Sequence, residues 1–305
     1  MQEKVSVVIT TKNEEKNIEN CLKSIQLQTW TNIEIIVVDN NSSDRTKEIS
    51  RRYTELVFDK GPERSAQRNY GLIGKARGKF AMFVDADMMM TPSLIETCVR
   101  EIDELKSIAL HIEEIVLGTG LLGSIRRYER SFYSGTVIDG ARFFRREDFK
   151  SIGGFDESLP PGPEDWDLDK KFKLQGDIRL ISHYGPPIPW ELGTEVGLRG
   201  VKYDNRFIGI YHNEADQTLR RYLQKKSYYS GSMSSYVARW PNDSDVAKQL
   251  GIRYRFLVVF LEQGRWRKVL RQPLLFLFML GLRVLVGVNY LRVQRRSSKE
   301  LRNIY

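Results

Sequence analysis

The sequence predicts an α/β fold in which a Rossmann-like, mixed sheet is flanked by helices and followed by an amphipathic, apolar helical region. Strand-forming runs alternate with segments of helical periodicity through the first hundred residues. The main strand-like runs end in acids or hydroxyls, whereas basic residues are concentrated at the other end of the chain. With 41% hydrophobic and 29% charged residues, the composition is that of a folded protein.

The alternation of strands and helices begins at the amino terminus. Strands are expected at 5–10, 33–38, 55–58 and 80–85, and helices at 17–28, 45–53, 63–73 and 94–104. A further strand is expected within 108–117. Strands that alternate with helices usually pair in parallel, with helices covering both faces of the sheet.

Polar side chains follow the ends of three of these strands. They are Thr10, Thr11, Glu14, Asp39, Asp85 and Asp87. Ligands of open α/β sheets bind outside the carboxyl ends of the strands. Carboxylates suit Mg²⁺ or Mn²⁺, which often binds one or two of them together with substrate phosphates. The pair Asp85 and Asp87 therefore predicts a metal site. The alternative is a strand that runs into a helix capped by Asp, which would show the same sequence pattern.

Basic residues between these strands could meet a nucleotide base or a diphosphate. They are Lys60, Arg64 and Arg68.

Four stretches together resemble the family 2 glycosyltransferases of the GT-A fold. They read VSVVITTKNEEKNIENCLKSIQLQTW, EIIVVDNNSSDRT, ERSAQRNYGL and FVDADMMMTP, and they cover roughly the first 100 residues. The resemblance implies a nucleotide-sugar site formed by Thr10, Thr11, Glu14, Asp39, Arg64, Arg68 and Asp85. It also implies that Asp85 and Asp87 hold the metal that bridges the donor diphosphate.

A glycine- and proline-rich approach, residues 153–163, leads to Glu164 and Asp165 at the start of an expected helix. Acids at a helix amino terminus often serve only to stabilise it. The stretch resembles the family's Glu-Asp motif, which implies that Asp165 is the catalytic base and Glu164 an acceptor-binding neighbour. The resemblance also implies that residues 139–145 lie beside the acceptor. We expect Asp167 and Asp169 to be solvated helix residues.

The three histidines divide into two groups. His212 follows a strand-like run, and the family often places a histidine there against the metal or the diphosphate, so it is assigned as a third metal ligand. His111 and His183 have no supporting motif and are expected to be structural.

Residues 118–123 match the dinucleotide fingerprint G-x-G-x-x-G, with Asp139 about twenty residues further on. They lie in the middle of the chain, and no strand–helix–strand unit is evident around them. We expect a flexible or closely packed loop here and no NAD(P) site.

The C-terminal part of the chain predicts attachment to a membrane. Residues 251–305 contain twelve Lys or Arg and two Glu. The other 250 residues contain 36 Lys or Arg and 37 Asp or Glu, so their charges nearly cancel. Anionic membrane surfaces attract such basic clusters. A nucleic-acid-binding protein would be expected to carry positive charge over the fold itself, and this chain does not. Residues 273–291 are apolar except for Arg283 and Asn289. Arg283, Gly287 and Tyr290 share a helix face, which favours a helix lying in the membrane interface; a membrane span or an oligomer contact remain alternatives.

The sequence therefore predicts two regions, a glycosyltransferase domain at 1–215 and a membrane-associating helical region at 216–305. The two cysteines and the absence of a signal-peptide pattern in residues 1–12 indicate a reducing compartment at the cytoplasmic face of the cell membrane. The expected activity is inverting, metal-dependent transfer from a UDP- or GDP-sugar to a hydroxyl of a lipid-linked or other saccharide. The alternatives are transfer to polyprenyl phosphate and a binding protein without turnover.

Overall fold

The computed structural model describes residues 2–159, 161–195 and 198–302. The predicted domain at 1–215 includes Met1, Pro160 and residues 196–197, and the predicted C-terminal region includes residues 303–305; all of these lie outside the described residues, and Pro160 is part of the predicted glycine- and proline-rich approach. Within the described residues the strands are β1 (Val5–Thr11), β2 (Ile33–Asp39), β3 (Val57–Asp59), β4 (Phe80–Asp85), β5 (Met88–Met90), β6 (Ala109–His111), β7 (Glu114–Leu117), β8 (Phe143–Arg145), β9 (Ile178–Leu180) and β10 (Ile210–Asn213).

The described helices alternate with these strands and then follow them. They are α1 (Ile18–Gln26), α2 (Thr46–Ser50), α3 (Arg64–Asn69), α4 (Leu94–Glu104), α5 (Gly120–Arg130), α6 (Arg146–Ser151), α7 (Glu164–Lys173), α8 (Glu191–Glu195), α9 (Leu219–Ser230), α10 (Met233–Arg239), α11 (Ser244–Leu250), α12 (Ile252–Phe256), α13 (Trp266–Arg271) and α14 (Pro273–Arg302). A π-helical segment, Tyr70–Lys75, continues α3, and short 3₁₀ segments occupy Val258–Phe260 and Glu262–Gly264.

The main sheet has seven described strands in the order β3-β2-β1-β4-β8-β6-β9. Strands β3, β2, β1 and β4 are parallel to one another, and β8 runs antiparallel to both of its neighbours. Strand β1 is buried along its whole length because helices cover both faces of the sheet, as a continuous apolar run predicts. The α/β class and the mixed sheet flanked by helices agree with the prediction.

A second, three-stranded sheet in the described chain has the order β5-β10-β7. Strand β10 is antiparallel to β5 and parallel to β7. The sequence predicted one strand within 108–117, and this was wrong in one respect. The segment forms two strands, β6 and β7, and they belong to different sheets.

The main sheet is held by two apolar cores, one on each face. On one face Val7 and Ile9 pack against Leu22 of α1 and Leu94 of α4. On the other face Val8 packs with the residues of a separate cluster that includes Phe144, Phe149 and Phe172. This alternation along β1 holds the carboxyl ends of β1, β2 and β4 at one fixed edge.

The helices after β10 share a third core with α5, which contains Phe132, Tyr254, Phe260, Met279 and Leu282. Among the described residues, Pro273–Arg292 is the one stretch of helix long and apolar enough to cross a membrane. Its outward side is apolar, since Leu274, Leu277, Phe278, Val284, Leu285 and Val288 are exposed.

Arg283 does not face water, as a helix lying in a membrane interface would suggest. Its side chain is 8% exposed and turns inward onto α5, where Nε lies 3.1 Å from Glu129 Oε1 and Nη2 donates to the Tyr133 hydroxyl at 2.7 Å. The physical reason is the buried carboxylate of Glu129, because each of these two buried charges would be costly without the other.

Candidate active site

The register of the main sheet brings the predicted strand-end residues together. Thr10 pairs with Asp85 across β1 and β4, and Thr11 pairs with Asp39 across β1 and β2. The Thr10 hydroxyl donates to Asp85 Oδ1 at 3.0 Å. Because parallel strands end at the same edge, residues 75 positions apart meet in one hydrogen bond.

Asp87 and His212 come together through the second sheet. His212 pairs with Met88, the residue after Asp87, and its Nε2 lies 3.3 Å from Asp87 Oδ2. The other carboxylate oxygen, Asp87 Oδ1, is buried and has no hydrogen-bond partner in the described structure. A carboxylate oxygen without a partner beside an imidazole and a second carboxylate is a suitable position for a hard cation.

The carboxylates around His212 also control its protonation. Burial lowers the pKa of the imidazole, but Asp87, with Glu114 and Glu214, outweighs burial and raises the pKa to about 10. Metal and proton compete for an imidazole nitrogen, so a cation at Asp87 would displace this proton if His212 became a ligand. Among the described residues no group of three His, Cys, Asp or Glu side chains is arranged as a complete metal site.

Arg68 connects the strand edge to the start of α7. It is almost fully buried and stacks 4.3 Å above the ring of Phe83. Its Nη2 donates to Asp85 Oδ1 at 3.0 Å, and its Nη1 donates to Asp165 Oδ1 at 2.8 Å. Burial raises the pKa of the Asp85 carboxyl, but Arg68, with Arg142 and Arg64, outweighs burial and holds that pKa well below its usual range.

Arg64 lies one helical turn before Arg68 and holds the other acid of the motif. Its Nη2 lies 2.5 Å from Glu164 Oε1, and Glu164 Oε2 accepts the N–H of Gly162 at 2.5 Å. Glu164 is therefore a fully buried anchor for the start of α7. Its neighbour Asp165 is partly exposed and faces a cleft.

This cleft has a volume of about 470 Å³, and most of the predicted site residues line it. They are Thr10, Thr11, Glu14, Arg64, Asp85, Asp87, Asp165 and His212. Thr11 Oγ1 is buried there without a partner, and burial raises the pKa of the Glu14 carboxyl.

Four other predicted residues stand behind the cleft wall or away from it. Arg68 and Glu164 support the wall, and Lys60 is exposed at the end of β3. Asp39 is fully buried, and its Oδ1 accepts the N–H of Ser42 at 2.6 Å, so this carboxylate shapes the loop after β2.

The sequence did not predict a buried group of charges around Glu114. Glu114 Oε1 accepts Arg142 Nε at 2.6 Å, and Glu114 Oε2 accepts Arg130 Nε at 3.2 Å. Burial raises the pKa of Glu114, but the two arginines outweigh burial and bring it well below its usual range. Nothing in the local sequence distinguishes Glu114, since its partners come from other elements.

The expectation that Asp167 and Asp169 are solvated was wrong. Asp167 is fully buried and accepts the indole N–H of Trp240 at 2.8 Å. Asp169 Oδ2 lies 2.7 Å from His111 Nε2 in the core. Both acids are buried because α7 is enclosed by the main sheet on one side and the C-terminal helices on the other.

The glycines of residues 118–123 form a closely packed turn between β7 and α5. A Cβ at Gly123 would lie 2.4 Å from the carbonyl carbon of Gly118, so the two backbones touch. The preceding strand β7 lies in the second sheet and the following strand β8 in the main sheet, so no strand–helix–strand unit surrounds the turn. Asp139 is buried in an ion pair with Arg130.

A second cavity, of about 1100 Å³, opens from the first. The two share Asp165, Arg126, Arg142, Lys226 and Tyr229 in their walls. The larger cavity continues between the C-terminal helices, with Val237 of α10, Phe256 of α12 and Val286 of α14 along its sides.

Comparison with known proteins finds a family match in the amino-terminal half of the chain. Residues 6–153 match the model of glycosyl transferase family 2, so this segment is a family 2 glycosyltransferase domain. Strand β2, Arg68 and the Asp85–Asp87 pair fall within the matched residues, whereas Asp165, His212 and the C-terminal helices lie beyond them.

Two curated relatives share the amino-terminal third. The uncharacterized glycosyltransferase YibD of Escherichia coli (strain K12) is 37% identical over 100 residues, which are 31% of this chain and 29% of the relative. The GalNAc(5)-diNAcBac-PP-undecaprenol beta-1,3-glucosyltransferase of Campylobacter jejuni is 32% identical over 111 residues, which are 33% of this chain and 35% of that enzyme. The match thus spans about a third of the length of these relatives.

A solved structure shares the fold over nearly the whole chain. The mannosyltransferase PcManGT from Pyrobaculum calidifontis, in complex with GDP-Man and Mn²⁺, has a TM-score of 0.53 at 16% identity. The match covers 99% of this chain and 81% of that one. The domain therefore has the GT-A fold that the sequence motifs predicted.

Proposed function

We propose that the protein is an inverting, metal-dependent glycosyltransferase. It would move a sugar from a UDP- or GDP-sugar to a hydroxyl of a lipid-linked saccharide at the cytoplasmic face of a membrane. The observation that carries this proposal is the shared cleft, in which Asp85 and Asp87 stand on one side, Asp165 on the other, and Arg68 bonds both sides.

The residues of the strand edge suit a divalent cation. Asp85 and Asp87 supply two carboxylates, and the partnerless Asp87 Oδ1 is a buried acceptor that a cation would satisfy. His212, whose Nε2 lies 3.3 Å from Asp87 Oδ2, would be the third ligand once a cation had displaced its proton. When bound, Mn²⁺ or Mg²⁺ would neutralise charge on the diphosphate leaving group. The Mn²⁺ in the PcManGT complex supports this choice of ion.

The other cleft residues would bind and orient the two substrates. Thr10, Thr11, Glu14 and Arg64 line the donor side, and Arg64 adds positive charge where a diphosphate would lie. Asp39, buried behind this edge, would act by fixing the loop after β2.

Asp165 is suited to the role of base. Arg68 holds one of its oxygens, and the side chain is still exposed to the cleft. It would take the proton from the acceptor hydroxyl as that oxygen bonds to the anomeric carbon and the nucleoside diphosphate departs from the opposite face. A single displacement of this kind inverts the anomeric centre and needs no carboxylate nucleophile.

The position of Asp165 also favours a hydroxyl acceptor over polyprenyl phosphate. A phosphate oxygen is already ionised at neutral pH and needs no base, whereas a hydroxyl does. The name of the Campylobacter relative, which describes an undecaprenol-linked acceptor, supports a lipid-linked saccharide. A binding protein without turnover would have no use for a carboxylate held in this place.

The membrane would be met by the region from residue 216 onwards. Seven apolar side chains of α14 are exposed, and the last 55 residues, with twelve Lys or Arg and two Glu, account for the net positive charge of the chain. Because Arg283 binds Glu129, one side of α14 stays on the domain, and we propose that the opposite side lies in the membrane surface.

Turnover of a panel of nucleotide sugars tests the proposal. The purified protein should release UDP or GDP from one donor in Mn²⁺ or Mg²⁺, and EDTA should abolish the release. NMR of the transferred sugar should show the inverted anomer. Failure of every donor to bind in the presence of metal would refute the proposed function.

A further inference from the structure

We infer that the cavity of about 1100 Å³ holds the phosphate-bearing hydrocarbon chain of the acceptor, with its anionic head at Lys226 and Arg255 and its chain between α10, α12 and α14. This inference rests on the proposed function and assigns a substrate class to a part of the molecule outside the donor cleft.

The first reason is that the cavity changes character along its length. Near the cleft its walls carry Asp165, Trp166 and Tyr229, and flat aromatic faces of this kind suit a saccharide. Further away the lining residues are Met233, Val237, Ile252, Phe256, Val286 and Leu291. A free sugar would gain nothing from this apolar end, whereas a hydrocarbon chain would be removed from water there.

The second reason is unneutralised positive charge between the two ends. Lys226 lies over the ring of Tyr222, and Arg255 donates to the backbone oxygen of Gln249 at 2.8 Å. Neither forms an ion pair with a carboxylate of the described residues, unlike Arg126, Arg130, Arg142 and Arg283 in the same walls. Two unpaired cations inside a cavity suit a phosphate or diphosphate.

The electrostatics of Lys226 agree with that assignment. Burial lowers its pKa, and repulsion from Arg126, Arg255 and Lys225 outweighs the attraction of Glu129, so the pKa falls to about 8. A bound phosphate would raise this pKa again by adding negative charge beside the ammonium group.

The third reason is the position of the cavity mouth. Ile252, which is 78% exposed, and Leu291, which is 54% exposed, stand at its rim. They continue into the exposed apolar side of α14. A chain could therefore pass from a membrane into the cavity without crossing water. The volume also exceeds the roughly 300–1,000 Å³ of ordinary small-molecule pockets.

Two glycines of α14 make a matched test. A Cβ added at Gly287 or at Gly281 would meet no atom within 4 Å, so the backbone at either position leaves room for a side chain to begin. Gly287 lines the cavity, and Gly281, on the same helix, does not. Gly287→Phe should obstruct the cavity, and Gly281→Phe should leave it open.

Binding to the full-length protein is measured by calorimetry in EDTA, so that no metal captures diphosphate at Asp85 and Asp87. The probes are farnesyl diphosphate, dodecyl phosphate, farnesol and inorganic diphosphate, each below its micelle concentration. Wild type and Gly281→Phe should bind the better of the two anionic lipids at least about tenfold more tightly than inorganic diphosphate or farnesol. Gly287→Phe should lose at least about tenfold for that lipid and should bind inorganic diphosphate as wild type does.

The double variant Lys226→Met, Arg255→Met should weaken both anionic lipids and leave farnesol unchanged. The inference is overturned if Gly287→Phe binds the lipids as wild type does, or if farnesol binds as tightly as the anionic probes.

Turnover of the nucleotide sugar by the same preparations separates the two proposals. Donor turnover without lipid binding would overturn the cavity assignment and leave the glycosyltransferase proposal standing. Lipid binding without donor turnover would overturn the glycosyltransferase proposal and leave lipid binding in the cavity standing.

Discussion

Arg68 and Asp165 are bonded at 2.8 Å although 97 residues separate them in the sequence. The same guanidinium donates to Asp85 at 3.0 Å, so one buried side chain sets the distance between the strand-end acids and the start of α7. A planar fork with donors on both ends can do this, and an ammonium group cannot.

The first prediction concerns this fork. Arg68→Lys keeps the charge but reaches one carboxylate at most, so donor turnover should fall at least about tenfold, or roughly 1.4 kcal/mol in the activation barrier. Steady-state kinetics measures the change, and far-UV circular dichroism checks that the variant is folded. Arg179→Lys, in an exposed pair with Asp177, should behave as wild type. Turnover of Arg68→Lys within about twofold of wild type would argue against the bridging role.

The second prediction concerns the pH dependence of stability through His111. Burial lowers the pKa of this imidazole, but Asp169 and Asp139 outweigh burial and raise the pKa above its ordinary value. The added stability is therefore complete below about pH 6.5, the unfolded value, and is lost as the pH rises through the folded pKa.

Urea unfolding across pH 5 to 9 tests it. The difference in unfolding free energy between wild type and His111→Asn should shrink as the pH rises above about 6.5. His183→Asn, at an exposed site, should keep the wild-type profile. If this difference in unfolding free energy stays constant or grows with pH, protonated His111 does not stabilise the fold through its ion pair with Asp169.

The third prediction concerns the turn between β7 and α5. In Gly123→Ala the new methyl group would meet the backbone of Gly118, and overpacking of this kind costs about 1–3 kcal/mol of unfolding free energy. Gly74→Ala, where an added Cβ meets nothing within 4 Å, should be neutral or slightly stabilising. Thermal unfolding compares the two variants. Equal melting temperatures would mean that the backbones are not in contact.

The fourth prediction concerns the outer side of α14. The double variant Leu274→Glu, Leu277→Glu replaces two apolar side chains that are 70% and 62% exposed, and it should lower sedimentation with anionic vesicles at least about tenfold. Leu174→Glu changes an even more exposed leucine, 74%, on the main domain and should have no effect. Equal loss of vesicle binding in the double variant and in Leu174→Glu would mean that the added negative charge, and not the apolar surface of α14, causes the loss.

The strand edge was predictable because its chemistry is local in the sequence. Acids and hydroxyls follow apolar runs directly, and parallel pairing brings the ends of such runs together, as Thr10 and Asp85 demonstrate. The Asp-x-Asp spacing and the position of Asp165 at a helix start were readable for the same reason.

The remainder depends on contacts between distant segments. Glu114 gains its role from Arg130 and Arg142, and Asp167 from Trp240, and no spacing rule connects such pairs. Arg283 looked like a polar interruption of an apolar helix, because its partner Glu129 lies 154 residues earlier. The larger cavity was not predictable at all, since helices from the last third of the chain close it over α5.

The central claim is that Asp85 binds the donor through a metal and that Asp165 takes the acceptor proton. Binding and turnover of the donor should be measured side by side for Asp85→Asn and Asp165→Asn in Mn²⁺. Asp165→Asn should bind donor as wild type does and lose at least about a hundredfold in turnover, whereas Asp85→Asn should lose metal-dependent binding by at least about tenfold. Wild-type binding and turnover in either variant would contradict the account.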